Sequence, residues 1–396
     1  MQRNFAQTIV VGVGLLGGSV GLAAKKAGVG GKIIGFWRSE AKLRRAVELG
    51  AVDAFATDWR AALELGAGTQ GATQIVFAAP VETNLRVLRD FCRVCAEISE
   101  EKGFDAFAGR SFLLSDVGSV KGDFVRTVDA LLSSPERPSG VRLDAVAAHP
   151  IAGSDKSGAE FATADLFRGK LTILTPWESV ADRRAALERG DAVPDDAVKT
   201  VENGKVVEIE RVDRRNNAEE NNDGGDKIGK SDNVGNIDKN ESIGEISKTD
   251  ATVKTGLNGE ISRCVAGEKA EAVAAVRAFW EALGSTVVET SADEHDRILA
   301  RTSHLPHLAS VLTASVVPTE ELLFTGTGFR DVTRLAGGAP DVWGEIFGSN
   351  RAATLDALEL LEEKIVLWKS FLKENDRESI LTFLKETKKK RDALGS

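Results

Sequence analysis

The feature that most constrains this 396-residue chain is a repeated alternation of short apolar runs with helix-like segments. Seven runs have the length and composition of strands: 8–11, 32–36, 74–79, 111–117, 144–149, 170–176 and 285–291. Strands that alternate with helices form parallel sheets with right-handed crossovers, so the pattern predicts an α/β fold of the Rossmann type. After residue 293 the strand pattern disappears and the sequence becomes helical, most clearly at 355–372.

A long polar segment interrupts the α/β pattern. It is rich in Asn, Asp, Glu, Lys and Gly, and no aromatic residue occurs between Trp177 and Phe279. Such a segment buries too little apolar surface to offset the entropy of ordering it, so we predict a disordered insertion. The predicted layout is a Rossmann-type domain at 1–182 and 265–292, an insertion at 183–264, and a helical domain at 293–396.

The bulk composition argues against several classes of protein. A net charge of −9 at pH 7 offers no basic face for nucleic acid. Three cysteines cannot form a disulfide framework, which fits a reducing compartment. No run approaches the roughly 20 continuous apolar residues of a membrane span. We therefore expect a cytoplasmic protein that binds neither nucleic acid nor membranes.

The stretch GVGLLG, residues 12–17, follows the first strand-like run and opens a helix-like segment. In a dinucleotide-binding loop the first glycine, here Gly12, permits the tight turn, and Gly14 lets the backbone approach a pyrophosphate. Gly17 would allow the helix to pack closely on the strand, and Leu15 and Leu16 complete the loop. The sequence predicts a dinucleotide site here, with a turn of small residues as the alternative.

The end of the second strand-like run bears on the choice between NADP and NAD. NAD enzymes usually keep a carboxylate there for the ribose 2′-hydroxyl, whereas this chain has Trp37, followed by Arg38 and Ser39. Because the chain has no acid at this position to repel a 2′-phosphate, the sequence favours NADP as the cofactor and leaves NAD as the alternative. Ala79 and Pro80, where the third run ends, complete the predicted cofactor-binding set.

A hydrophobic run ends abruptly at His149 and Pro150. Open α/β sheets bind ligands beyond the carboxyl ends of their strands, so His149 is a candidate general base as well as a candidate structural histidine. A neutral imidazole suits the removal of a hydroxyl proton near pH 7 while a hydride leaves. Ser119, in the motif DVGSVKG at another strand end, is the candidate supporting residue.

The other three histidines, His295, His304 and His307, fall in the stretch HDRILARTSHLPH. His304 and His307 share a helical face, but no nearby side chain completes a metal-ligand set, so we expect no metal. Further on, a glycine-rich stretch at 324–343 holds charged and aromatic residues. It is either a solvated loop or the place where an arginine binds a substrate carboxylate through paired hydrogen bonds.

In its motifs the chain resembles the prephenate and arogenate dehydrogenase family. The resemblance rests on GVGLLGGS, DVGSVK, HPIAGSDKSG, ADLFRGKLTILTP, SHLPH, and GFRDVTR followed by DVW. It implies a Rossmann-type domain, a helical dimerisation domain, a homodimer, and NADP- or NAD-dependent oxidative decarboxylation of a cyclohexadiene acid. The long insertion and the missing acid after the second strand depart from the family pattern.

The family's residue roles carry over position by position. His149 corresponds to the histidine that takes the proton of the ring hydroxyl, and Ser119 to the serine that hydrogen-bonds to it and to substrate. Arg334 corresponds to the arginine that binds the substrate carboxylate. His304, His307 and Gly328 are expected to line the same pocket, and His295, Asp331 and Trp343 match family positions whose role the resemblance does not define.

The resemblance leaves the substrate open between prephenate and arogenate, and also leaves open feedback inhibition by tyrosine. A β-hydroxyacid or 6-phosphogluconate-type dehydrogenase has the same two-domain plan but would use a lysine as its central acid or base. A nucleotide-sensing protein without catalytic activity is a third alternative, and the joint presence of His149, Ser119 and Arg334 counts against it.

Overall fold

The computed structural model describes residues 5–66, 71–133, 141–153, 156–176, 199–202, 205–208 and 270–394. The chain divides into two compact units, Met1–Asp196 with Ala272–Ser396, and Ala197–Glu271. None of the helices in the described part of the chain is long and apolar enough to cross a membrane.

The first unit is built on an eight-stranded sheet. Its strands are β1 (Gln7–Val11), β2 (Lys32–Phe36), β3 (Ala54–Ala56), β4 (Gly71–Phe77), β5 (Arg110–Asp116), β6 (Arg142–Pro150), β7 (Leu171–Pro176) and β10 (Thr286–Glu289). The spatial order is β10-β7-β6-β5-β4-β1-β2-β3. All seven predicted runs are strands, whereas the three residues of β3 are too few to stand out as a run.

The six neighbouring strands β1 to β6 are all parallel to one another. β7 pairs antiparallel with β6, and β10 runs parallel to β7. The expectation of a wholly parallel sheet was therefore wrong at one edge. A parallel neighbour usually requires a helical crossover, and the described residues between β6 and β7 hold only a short 3-10 turn, Ala159–Phe161. Strand-like runs do not by themselves reveal direction.

Helices cover both faces of the sheet. They are α1 (Leu15–Ala27), α2 (Glu40–Glu48), α3 (Trp59–Glu64), α4 (Val81–Lys102), α5 (Gly122–Ser133) and α6 (270–282). Successive strand residues point to opposite faces, so Ile9 and Val11 join the core with α3, α4 and α5, while Val10 joins the core with α1, α2 and α6. α6 contributes Val276 and Trp280 to this second core, and both side chains are fully buried.

After β10 the chain is helical, as the sequence predicted. The helices are α7 (Ala292–Leu299), α8 (Leu305–Ser315), α9 (Thr327–Thr333), α10 (Pro340–Ser349), α11 (Arg351–Glu374) and α12 (Arg377–Asp392). A π-helical segment, Ala300–His304, joins α7 to α8 without a break. Several large apolar side chains of this region are exposed, among them Leu323, Phe324, Val332, Val366 and Leu372.

The second unit contains an antiparallel hairpin of β8 (Lys199–Glu202) and β9 (Lys205–Glu208). This stretch falls inside the segment for which the sequence predicted disorder. Valines on both sides of the dipeptide Asn203-Gly204 are a strong hairpin signal that the composition argument overlooked. The rest of the predicted insertion, 183–264, lies outside the described residues.

Candidate active site

The glycine loop between β1 and α1 has the backbone geometry that its sequence predicts. Gly12 has φ of +86°, a conformation that disfavours any side chain. A Cβ on Gly17 would lie 2.2 Å from the carbonyl oxygen of Gly12, so only glycine lets α1 pack this closely. A Cβ on Gly14 would meet no atom within 4 Å, which leaves open space at the start of α1, where Leu15 and Leu16 follow.

The position of this loop in the sheet also suits a dinucleotide. β1 lies next to β4 at the centre of the sheet. From β1 the strand order continues through β2 to β3 in one direction, and from β4 it continues through β5 to β6 in the opposite direction. Such a switch point forms a crevice at the carboxyl edge. The N–H groups in the first turn of a helix favour a bound anion, and α1 begins at this crevice. The described residues therefore fit the pyrophosphate of NAD or NADP.

The loops after β2 and β4 border this crevice. Arg38 is exposed, and Ser39 precedes α2 without using its hydroxyl to cap the helix, so both polar groups are available. Ala79 is held by the Asn84 side chain, which accepts from its N–H at 3.0 Å and donates to its carbonyl at 2.7 Å. Pro80 precedes α4 directly. All four residues lie in the loops that follow β2 and β4, and their binding of the cofactor stays a prediction.

His149 lies next to the last residue of β6, at the same carboxyl edge as the glycine loop. Its Nδ1 is 2.8 Å from Nε2 of His295. His149 retains 9% of its surface exposed whereas His295 is fully buried, so only His149 of this pair can reach a ligand. Burial, reinforced by the nearby His295 and Lys121, lowers the pKa of His149 well below its usual value, which keeps the imidazole neutral.

The far side of His295 is bound to a carboxylate. Its Nδ1 lies 2.8 Å from Oδ1 of Asp296. The same oxygen accepts from the backbone N–H of Lys121 at 2.8 Å, and Oδ2 accepts from the backbone N–H of Gly122 at 2.9 Å. Burial would raise the pKa of Asp296, but the hydrogen bonds from His295 and from these N–H groups lower it. Asp296 is therefore an ionised acceptor that joins the helical region to the start of α5.

A buried ion pair holds the strand that carries His149. The Lys121 ammonium contacts the Asp116 carboxylate and donates to the carbonyl of Ala148 at 2.8 Å. Asp116 also accepts from the N–H of Ala148 at 3.2 Å. Burial lowers the pKa of Lys121 and raises that of Asp116, whereas their mutual attraction opposes both changes. The pair fixes the backbone immediately before His149 from both sides.

Ser119 lies half-buried in the loop between β5 and α5, two residues before Lys121. In the described part of the chain no hydrogen bond joins Ser119 to His149, whose Nδ1 is bonded to His295 instead. The supporting role of Ser119 stays a prediction.

The other two histidines lie on the helical side of the site. His304 belongs to the π-helical segment, and its Nδ1 is 3.1 Å from Nδ2 of Asn350, which also donates to the carbonyl of Asp296 at 2.7 Å. Burial lowers the pKa of His304 to about 4. His307 stacks on Trp343 with ring centroids 3.5 Å apart, and its buried Nδ1 has no partner among the described residues. His304 also meets Trp343 edge to face, with ring centroids 6.3 Å apart, so all four histidines of the chain belong to one linked group.

The remaining substrate candidates lie beside this group. Arg334 is exposed at the start of a 3-10 turn, Arg334–Gly337, which packs on α8 through a hydrogen bond from the N–H of Ala336 to the Ser310 hydroxyl. Gly328 and Asp331 lie exposed on α9, which also contacts α8. Among the described residues, no hydrogen bond or ion pair joins Arg334 or Asp331 to His149, and Gly328 has no side chain to make one, so the roles of these three residues stay predictions.

Sequence reasoning missed Asp296, Asn350 and the Asp116–Lys121 pair. Asp296 adjoins a histidine in HDRIL, and Asp116 and Lys121 occur within DVGSVK, so a signal was present for three of them. Asn350 carries no such signal, because it acts through contacts with residues 46 and 54 positions away. No three His, Cys, Asp or Glu side chains among the described residues are grouped so that they could hold a metal ion.

Comparison with protein families matches two stretches of the chain. Residues 20–189 match the family described as "Prephenate dehydrogenase, nucleotide-binding domain", and residues 291–386 match "Prephenate dehydrogenase, dimerization domain". The first stretch ends before most of the polar segment and the second begins just after β10.

Two relatives have assigned activities. Prephenate dehydrogenase of Bacillus subtilis (strain 168) is 25% identical over 392 residues, which cover 98% of this chain and 75% of the relative. Cyclohexadienyl dehydrogenase of Zymomonas mobilis is 31% identical over 132 residues, 32% of this chain and 45% of that protein.

Two solved structures have a similar fold. Prephenate dehydrogenase of A. aeolicus, in complex with hydroxyphenyl propionate and NAD+, has a TM-score of 0.61 and 22% identity, with 100% of both chains covered. Synechocystis arogenate dehydrogenase has a TM-score of 0.58 and 18% identity, covering 98% of this chain and 99% of the other. They confirm the order of a Rossmann-type sheet followed by a helical region.

Proposed function

This chain belongs to the prephenate dehydrogenase family of NAD(P)-dependent oxidoreductases, and we propose that it converts prephenate to 4-hydroxyphenylpyruvate by oxidative decarboxylation. The observation that carries the proposal is His149, a neutral imidazole at the carboxyl edge of the sheet that also bears the glycine loop. Its Nδ1 is engaged by His295, so Nε2 is the nitrogen left for a substrate hydroxyl.

His149 accepts the hydroxyl proton at Nε2 while the C–H bond of the same ring carbon breaks. Gly12, Gly14 and Gly17 shape the loop that would hold NAD+ or NADP+, and the cofactor bound there would accept the hydride that leaves this carbon. The carboxylate on the opposite ring carbon then departs as carbon dioxide, and its bonding electrons complete the aromatic ring. The residues of this chain thus contribute one base and a fixed orientation.

Carboxylate recognition is assigned to Arg334, which is exposed at the start of a 3-10 turn that packs on α8, the helix that carries His307. A guanidinium binds a carboxylate through two parallel hydrogen bonds. His304, Gly328 and Asp331 are assigned to the lining of the substrate pocket. Ser119 is assigned the role of supporting His149. This assignment rests on the motif correspondence and on the packing of the π-helical segment, α9 and the 3-10 turn around α8.

The proposal includes NADP as the preferred cofactor, with Arg38 and Ser39 as the groups that bind the 2′-phosphate. The support is the absence of a carboxylate at the end of β2 together with the exposure of Arg38. It also includes homodimerisation through the helical region 293–396, supported by the dimerization-domain match and by the exposed apolar side chains there. The same proposal includes the domain limits, with the Rossmann-type domain at 1–182 and 265–292 and the insertion at 183–264.

A side-by-side assay tests the function. Purified protein is given prephenate or arogenate with NAD+ or NADP+, and the reduced cofactor is followed by absorbance. We expect turnover with prephenate to exceed turnover with arogenate. A clear preference for arogenate would replace the proposed substrate, and no turnover with either compound would refute the assignment.

A further inference from the structure

The strongest unexplained feature is the set of hydrogen bonds around two buried histidines, His149 and His304. Each has its Nδ1 bonded to a different protein group. Among the described residues none bonds to Nε2 of either ring, and neither atom is a fully enclosed polar atom without a partner, so both reach an accessible surface. What each Nε2 offers a ligand depends on which nitrogen carries the proton.

The proton position on His149 follows from the chain of bonds that begins at Asp296. An ionised carboxylate can only accept, so Nδ1 of His295 donates to it. A neutral His295 then has a bare Nε2, which accepts from Nδ1–H of His149. Because a neutral imidazole carries one proton, Nε2 of His149 is left bare.

The proton position on His304 follows from Asn350. The amide nitrogen of Asn350 must face the Asp296 carbonyl, because only the nitrogen can donate to that oxygen. The same nitrogen lies 3.1 Å from Nδ1 of His304, so Nδ1 is the acceptor and carries no proton. His304 therefore bears its proton on Nε2.

We infer that His295, Asp296 and Asn350 are positioning residues that hold His149 and His304 in opposite tautomers, one Nε2 a bare acceptor and the other an N–H donor. The inference rests on the proposed function for its chemical use. The bare Nε2 of His149 takes the substrate hydroxyl proton, and the N–H of His304 donates to a substrate oxygen. Asp296 links the two settings, since its carboxylate orders one histidine and its carbonyl orients Asn350.

Tautomers can be measured without substrate. The full-length protein labelled with [15N]histidine has only four imidazoles, and bare and protonated ring nitrogens resonate far apart. At pH 7 we expect His149 with a bare Nε2 and His304 with a protonated Nε2, each assigned by its absence in a His→Gln variant. A protonated Nε2 on His149, or a bare Nε2 on His304, would overturn the inference.

Two substitutions of His295 separate tautomer control from simple packing. Glutamine can accept from His149 and donate to Asp296, as His295 does, whereas leucine can do neither. We expect His295→Leu to mix the tautomers of His149 and to lower kcat about 10- to 100-fold, part of the 10²- to 10⁴-fold that a general base contributes. His295→Gln should restore most of kcat, and equal loss in both variants would contradict the inference.

The charge of Asp296 has its own test, with Asp293→Asn on the exposed face of α7 as the matched control. The charged or titratable groups around the pair are Lys121, Asp116 and His304. Removing the negative charge destabilises the protonated pair, so Asp296→Asn should move the acid limb of kcat/KM down by about 1 to 2 pH units. If the acid limb of kcat/KM did not move in Asp296→Asn, the charge of Asp296 would have no role in the protonation of the histidine pair.

The outcomes distinguish this inference from the proposed function. If the protein turns over neither prephenate nor arogenate, the [15N]histidine spectrum still reports both tautomers. If wild-type turnover is normal but the tautomers are not opposite, the inference alone fails. Asn350→Leu completes the set, because it should mix the tautomers of His304 and leave His149 unchanged.

Discussion

The glycine loop and the linked histidines lie at the same edge of one sheet, but different forces hold them in place. The loop is fixed by backbone geometry within six residues, from the positive φ of Gly12 to the close packing of Gly17. The histidines are fixed by side-chain hydrogen bonds that join residues 146 positions apart. One site can thus combine a loop whose geometry is determined by a few consecutive residues with side-chain contacts that form only when distant segments come together in the folded protein.

The largest expected effect comes from removing a member of the linked histidines. His149→Ala removes the base, and kcat should fall by about 10²- to 10⁴-fold. The Kd for the cofactor should barely change, because the glycine loop is held independently. Steady-state kinetics and cofactor titration measure the two quantities, and near-native turnover would refute the central assignment.

A second substitution tests whether the strand before His149 depends on the buried ion pair. Lys121→Met leaves the Asp116 carboxylate buried without its counter-charge, so the free energy of unfolding should fall by about 3 to 5 kcal/mol. Denaturant unfolding measures this loss. Lys42→Met, at an exposed position of α2, is the control and should change the stability by less than about 0.5 kcal/mol. Equal stability in the two variants would show that the pair does not hold the strand.

The difference between the two regions also explains what could be predicted from the sequence. The strands, the glycine loop and the position of His149 were predicted, because period, composition and strand ends are local properties. The reversed direction of β7 and the bond from His149 to His295 were not, because both depend on which distant segments become neighbours. The short β3 and the β8–β9 hairpin were missed for a simpler reason, since neither forms a long apolar run.

A pair of substitutions sharpens the glycine side of the comparison. The Cβ of Gly17→Ala would collide with backbone, and overpacking of this kind costs about 1 to 3 kcal/mol of stability. Gly14→Ala meets open space and should leave the melting temperature unchanged, yet it should raise the Kd for the cofactor, since the added methyl occupies the place of a pyrophosphate. Calorimetry and cofactor titration separate the two effects. If Gly14→Ala bound the cofactor normally, the pyrophosphate would not lie at this loop.

The narrowest expected effect is confined to one of the two cofactors and concerns the ribose. Arg38 stands at the end of β2 without an acidic neighbour before it in the loop, and its guanidinium can form charge-assisted hydrogen bonds to a 2′-phosphate. Loss of such bonds costs about 1.5 to 3 kcal/mol, so Arg38→Ala should lower kcat/KM for NADP about 10- to 100-fold and leave the value for NAD unchanged. Kinetics with each cofactor measure both values. A native preference for NAD that this substitution does not move would mean that groups other than Arg38 and Ser39 bind the ribose.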